Sequence, residues 1–204
     1  MKKTTGWKLK DIIMVAILGV VFALIYLAVL YAGIGLTAAL TPFGLAPFGF
    51  ELVYGIWFMA ATLAAYIIQK PGVAIVSEFL AACLELLMGN TGGGLVIIAG
   101  AVQGAGAEVG FAVFRYKRFD MASMCLSGAL AATFSFLWGF VQSGYALLDP
   151  ALLIAMLLVR IGSAVLFSGV ICKFAGSGLA KTGVLKNYAL GANMKFAEVA
   201  DEEE

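Results

Sequence analysis

Histidine is missing from this 204-residue chain, and charge is scarce at 12% of residues. Without an imidazole, mechanisms that need a histidine base or a histidine-ligated metal are excluded. The 13 bases and 12 acids nearly cancel to +1, which gives no field for a nucleic-acid binder. Only three cysteines occur, Cys83, Cys125 and Cys172, far apart inside apolar runs and with no C-x-x-C pair, so they read as small hydrophobes. What the chain has instead is apolar residues, 63% of it, against roughly 45–50% in soluble domains.

The apolar residues fall in runs long enough for a bilayer, which takes about 20 residues of helix. Six spans are expected: Ile12–Tyr31, Glu51–Ile68, Val73–Met88, Leu95–Phe114, Met121–Val141 and Ala151–Phe174. The fold class is therefore an all-α integral membrane protein, one transmembrane domain over 1–204. The first run is too long for the core of a cleavable signal and is expected to stay in the protein. Lys2, Lys3, Lys8 and Lys10, then Lys70, then Arg115, Lys117 and Arg118, then Lys173, Lys181, Lys186 and Lys195 place 12 of the 13 bases on one side of such a topology. That asymmetry predicts both termini in the cytoplasm. The acidic end Asp201–Glu204 reads as a solvated tail.

Several motif lookalikes carry no chemistry. Ala175–Thr182 imitates a phosphate-binding loop, but alanine replaces both defining glycines. Gly104-Ala-Gly106 sits inside a span rather than after a strand, and Asn90-Thr91-Gly92 fails the glycosylation pattern. No nucleophile has a base in a recognisable local motif, so an enzyme is not expected.

Polar residues at membrane depth are costly and mark function by default. Glu51 and Glu85 fall near the outer boundary, Glu78, Gln103 and Arg160 come level at ~12–15 Å, and Glu108 lies near ~20 Å. Glu78 and Glu85 are seven residues apart on one helix face. With four carboxylates against one guanidinium, a cationic or hydrogen-bond-donating ligand is the simplest resolution. Arg160 is expected in a structural pair with Glu78 or Glu108. Glu108 has a packing role as its alternative, because Gly100-x-x-x-Gly104 and Gly106-x-x-x-Gly110 flank it. Tyr54 and Trp57 follow Glu51, while Trp138, Gln142 and Tyr145 form one stripe at helical spacing. These aromatics suit either an interfacial belt or a cage for a flat organic cation. Asn90, in the glycine-rich link MGNTGGG, stands at the mouth, and the uncharged aromatic connector Thr37–Phe50 either folds over the site or rests on headgroups.

The stretches FELVYGIWF (50–58), KPGVAIVSEFLAACLELLMGN (70–90), VQGAGAEVGF (102–111), SGYALLDP (143–150) and KTGVLKNYALG (181–191) resemble the YkoE family. These are substrate-binding S components of energy-coupling factor (ECF) transporters for thiamine or its hydroxymethylpyrimidine precursor. The resemblance implies a six-helix bundle in a prokaryotic cell membrane that captures the vitamin from outside. It also implies docking on a separate coupling membrane protein driven by two ATPase domains, with no cofactor of its own and ATP bound only by those partners. Span 1 carries a small-residue stripe, Ala16, Gly19 and Ala23, suited either to that docking or to packing within the bundle. Two other readings stand beside this one: an autonomous proton-coupled carrier with Glu78, Glu108 and Arg160 as relay, and a non-transporting scaffold.

Overall fold

A computed structural model describes residues 6–193; Lys2, Lys3, Lys195 and the tail Asp201–Glu204 lie outside the described residues. The described residues are helical with no strand: α1 Leu9–Leu40, α2 Phe48–Glu51, α3 Met59–Ile68, α4 Val73–Leu87, α5 Leu95–Val113, α6 Met121–Gln142, α7 Pro150–Ala164 and α8 Cys172–Lys181. Four helical stretches are long and apolar enough to cross a bilayer, Leu9–Phe43, Leu95–Val113, Met121–Gln142 and Pro150–Lys181. The second and third expected spans correspond to shorter passages, α2 to α3 and then α4. One end of the bundle gathers Trp7 and the segment after α8, and is here called the terminal end. The opposite end carries the α1–α2, α4–α5 and α6–α7 connections.

Helix α1 has 32 residues, ~48 Å, and no ionisable group other than tyrosine after Asp11. Asp11 closes its first turn by accepting the Lys8 backbone N–H at 2.8 Å and pairing with Lys70 at 2.6 Å. Val15, Leu18, Gly19, Phe22, Tyr26 and Val29, at three- and four-residue steps, form its buried stripe. Ile12, Ile13, Ile17, Val20, Val21 and Leu24 are exposed on the other side, as a lipid-facing surface requires.

This corrects the expected docking stripe. Gly19 faces Leu80 and Leu84 of α4, Ala23 is fully buried, and only Ala16 lies on the exposed face. The small residues let α1 and α4 approach each other, so Gly19 and Ala23 belong to the interior.

Helix α5 shows what its two glycine pairs are for. Gly100 and Gly104 meet α4 at Ala82 and Ile75, whereas Gly106 and Gly110 meet α6 at Ala131 and Ser127. Ser127 Oγ adds a 2.8 Å hydrogen bond to the Ala107 carbonyl. Glu108 points to the terminal end, where its carboxylate accepts the N–H groups of Gly72 at 2.6 Å and Ala74 at 2.9 Å, satisfying the orphan donors of α4. At the start of α6, Asp120 caps the Ser123 N–H; that bond and the Arg118 guanidinium hold its carboxyl below the usual range.

The α2–α3 passage is irregular for a physical reason. Residues Tyr54–Phe58 form tight 3-10 turns, and regular α-helix resumes only at Met59. The Gly55 N–H donates to Ser163 Oγ at 3.0 Å, and that hydroxyl donates to the Leu52 carbonyl at 2.9 Å. Backbone so close to α7 leaves no room for a side chain at Gly55. Directly beyond Ser163, residues Val165–Ile171 make a π-helical turn that joins α7 to α8.

Candidate substrate-binding site

A cavity of about 520 Å³ opens at the end away from the termini, between α1, the α1–α2 connection, α4, α5 and the α6–α7 connection. Of the expected site residues, Glu51, Tyr54, Trp57, Glu78, Glu85, Asn90, Gln103, Gln142 and Tyr145 line it. Trp138 is not among the lining residues; it sits one turn back on α6 and donates Nε1–H to Gln142 Oε1 at 2.5 Å. The expected helical stripe breaks because α6 ends at Gln142 and Gly144 turns left-handed with φ +67°, so Tyr145 stands on a separate 3-10 turn. The connector Thr37–Phe50 splits in the same way: α1 continues to Leu40, and Pro47 and Phe50 then turn onto the cavity.

Arg160 pairs with Glu51, which corrects the expected partner Glu78 or Glu108. Its Nε and Nη2 reach the two Glu51 oxygens at 2.5 and 2.6 Å, a bidentate pair. Nη2 also donates to Tyr145 Oη at 2.7 Å, Nη1 to Ser135 Oγ at 3.2 Å, and the guanidinium stacks 3.7 Å from the Tyr54 ring centroid. The two are 1% exposed each. Helix count from the sequence placed Glu51 at the boundary, but α1 runs on to Leu40 and α2 packs back against it at Gly33 and Thr37, which leaves the Glu51 carboxylate inside the bundle against α7. Glu51 and Arg160 therefore satisfy each other, and with Glu108 spent on α4 the cavity is left with two acids, Glu78 and Glu85.

Glu78 sits where α3 begins. Its Oε2 accepts the Ala61 N–H at 3.0 Å and the Tyr26 hydroxyl at 3.1 Å, while Tyr26 Oη accepts the Ala60 N–H at 3.0 Å. A helix starting inside an apolar bundle exposes N–H donors with no water to bond, and this pair of side chains supplies the acceptors. Tyr26, fully buried and lining the cavity, escaped sequence reading. The only available signal was a hydroxyl halfway along an otherwise apolar span.

Glu85 accepts Asn90 Nδ2–H at 2.7 Å and Trp57 Nε1–H at 3.3 Å, both on Oε1. Asn90 Oδ1 in turn accepts the Gly92 N–H at 2.7 Å, which ties the glycine-rich link to the mouth. Glu78 Oε1, Glu85 Oε2 and the Gln103 amide have no hydrogen-bond partner among the described residues, and all three residues face the cavity. Trp57 anchors the aromatic wall, with ring centroids 5.5 Å from Tyr54, 6.2 Å from Phe50 and 6.5 Å from Tyr26. Among the described residues no three His, Cys, Asp or Glu side chains gather as a metal site.

The chain is 41% identical over 190 residues to the putative HMP/thiamine permease protein YkoE of Bacillus subtilis (strain 168), covering 93% of each. A solved structure described as an S component of an ECF transporter matches with a TM-score of 0.92 at 38% identity, covering 97% of this chain and 98% of that one. The chain belongs to the YkoE family of ECF S components. Residues 10–134 also match the family described as ABC-type cobalt transport system, permease component, of which the chain is a member. As a YkoE-family S component it is a multi-pass membrane protein and a substrate-binding transport subunit that associates with membrane ECF components. The motif FELVYGIWF and the α4 motif ending in Asn90 supply Phe50, Glu51, Tyr54, Trp57, Glu78 and Glu85 to the cavity wall.

Proposed function

We propose that this chain captures thiamine or its hydroxymethylpyrimidine precursor in the 520 Å³ cavity and delivers it to an ECF coupling protein powered by separate ATPase domains. The observation that carries the reading is the pair of cavity carboxylates, Glu78 and Glu85, left without an internal cation beside the Trp57 wall. A thiazolium ring suits that arrangement, since each cation–π contact contributes ~0.5–2 kcal/mol. An aminopyrimidine offers an amino donor and ring-nitrogen acceptors, which the open carboxylate oxygens and the Gln103 amide complement. The volume lies within the ~300–1,000 Å³ usual for small-molecule sites. A cobalt ion fits the donor set less well, because two acids without histidine or cysteine beside them offer few ligands. The relay of an autonomous carrier is also disfavoured: Glu78, Glu108 and Arg160 sit in three separate networks.

The test is titration of the purified chain with thiamine, with hydroxymethylpyrimidine and with the thiazole alcohol. Glu85→Gln and Trp57→Ala should each weaken binding tenfold or more, because a charge-assisted bond or stacking face contributes ~1.5–3 kcal/mol and ~1.4 kcal/mol is tenfold. Unchanged affinity in both variants would move the site elsewhere. We place the cavity outside and the termini in the cytoplasm, so a cysteine at Asn90 should label from outside and one at Lys117 only from inside. The reverse labelling pattern would invert the topology.

A further inference from the structure

We propose that the terminal end carries a second binding site, for the phosphate of an anionic phospholipid headgroup. A separate cavity of about 260 Å³ lies there, bounded by the start of α1, the α3–α4 connection and the segment around Tyr188. Three lysines line it, Lys8, Lys10 and Lys70, against one acid, Asp11.

That acid is already committed. Asp11 takes the Lys70 ammonium at 2.6 Å and the Lys8 backbone N–H at 2.8 Å, which cancels the charge of Lys70 and closes the first turn of α1. Lys10 lies near enough to Asp11 to feel its charge but forms no ion pair with it: its Nζ donates to the Asn187 carbonyl and lies 5.3 Å from the Tyr188 ring centroid. The Tyr188 hydroxyl donates to the Lys10 carbonyl at 2.9 Å, so the segment after α8 is stapled across the start of α1 and walls the cavity. Among the described residues, the Lys8 side chain has no acidic partner. The cavity thus keeps two cationic charges in a lining that also includes Ile68, Ala189 and Ala192.

Phosphate is the matching chemistry, because two flexible ammonium groups can converge on one tetrahedral anion as point charges. A phosphate could come from a lipid or from solution, and the surroundings favour the lipid. Leu9, Ile12 and Ile13 are exposed on the first turns of α1, continuous with its lipid-facing side. Acyl chains laid there would put the headgroup at Lys8 and Lys10, where a basic cluster at the membrane boundary attracts anionic lipids.

The experiment uses the full chain in detergent doped with phosphatidylglycerol or phosphatidylcholine, read by native mass spectrometry of retained lipid and by melting temperature. Phosphatidylglycerol should be retained and should stabilise; phosphatidylcholine should do neither. Lys8→Gln with Lys10→Gln should weaken phosphatidylglycerol retention at least tenfold, while Lys117→Gln with Arg118→Gln, at another terminal-end connector, keeps it. Because Lys10 also staples the chain, Lys8→Gln combined with Lys10→Arg provides a second variant that preserves the staple and should still lose affinity several-fold. Protection by millimolar inorganic phosphate equal to that by the lipid would support the phosphate site and assign a soluble source. Equal retention in the lysine variants, or equal loss in both variant pairs, would overturn the site. So would unchanged retention with lost co-purification of the coupling protein, which would give these lysines to the partner.

Discussion

Replacing Arg160 by Met keeps much of the side chain's length and removes the charge and hydrogen bonds that it brings to a buried polar network. The native guanidinium is 1% exposed and holds Glu51, Tyr145, Ser135 and the Tyr54 ring together from four directions. In the variant the Glu51 carboxylate stays buried with one remaining donor, the Tyr145 hydroxyl at 3.1 Å. Breaking a buried pair from one side costs about 3–5 kcal/mol. For a chain of this size ~1 kcal/mol moves the midpoint by about 2–4 °C, so the melting temperature should fall by about 6–20 °C. Removing both charges is a different perturbation, since Glu51→Gln with Arg160→Met leaves no bare ion and should recover more than half of the loss. The assay is a fluorescence melt of all four proteins in detergent, closed as a double-mutant cycle. A double variant as unstable as the sum of the singles would refute the pairing. Arg160→Met with a native midpoint but no thiamine binding would show instead that the guanidinium reaches the ligand.

Tyr26→Phe strips the acceptor from the buried Ala60 N–H and one donor from Glu78, and should destabilise the protein by ~1–3 kcal/mol in the same melt; no change would mean that the start of α3 is satisfied otherwise. Gly110→Val should abolish folding, because even a Cβ there would stand 2.7 Å from the Ser127 nitrogen, whereas Gly19→Ala should be tolerated since its nearest neighbours are Leu80 side-chain atoms at 3.2 Å. A yield of folded Gly110→Val like that of the native protein would argue against the α5–α6 contact. Thiamine capture should slow between 0.1 and 1 M salt as the Debye length falls from ~10 to ~3 Å, and capture of the uncharged pyrimidine should not; equal slowing would remove the acids from steering.

Charge placement and apolar run length were enough to read the helical membrane fold and most of the cavity lining, because each is a property of single residues at known depth. Partner choice was not legible. Arg160 lay level with Glu78 by helix arithmetic, yet it bonds Glu51, since α1 continues to Leu40 and α2 packs back against it, so that the bundle extends beyond the end at which Glu51 was counted. The stripe at Trp138, Gln142 and Tyr145 failed for a related reason: a left-handed Gly144 ends the periodicity that defined it. Gly19 and Ala23 illustrate a third kind of ambiguity, because small residues permit a close approach without saying which helix makes it. Tyr26 shows the converse, a site residue hidden by an apolar neighbourhood until α3 supplied the N–H groups it serves.

The beginning of α3 within the bundle gives this side of the cavity a polarity whose charge rests on Glu78, since Tyr26, the other acceptor there, is neutral. The first N–H groups of a helix act as a partial positive pole, and here Glu78 Oε2 sits on the Ala61 N–H. Seen from the cavity, the pole is overwritten by a full negative charge when the carboxylate is ionised, so this side greets cations. Exchanging both cavity acids for their amides, Glu78→Gln with Glu85→Gln, would remove the negative charge at nearly the same volume and leave the pole as the field that an anion meets. Which sign of solute this scaffold welcomes is therefore a choice separable from its shape, and a pocket of constant volume can pass between vitamins of opposite charge without any helix moving.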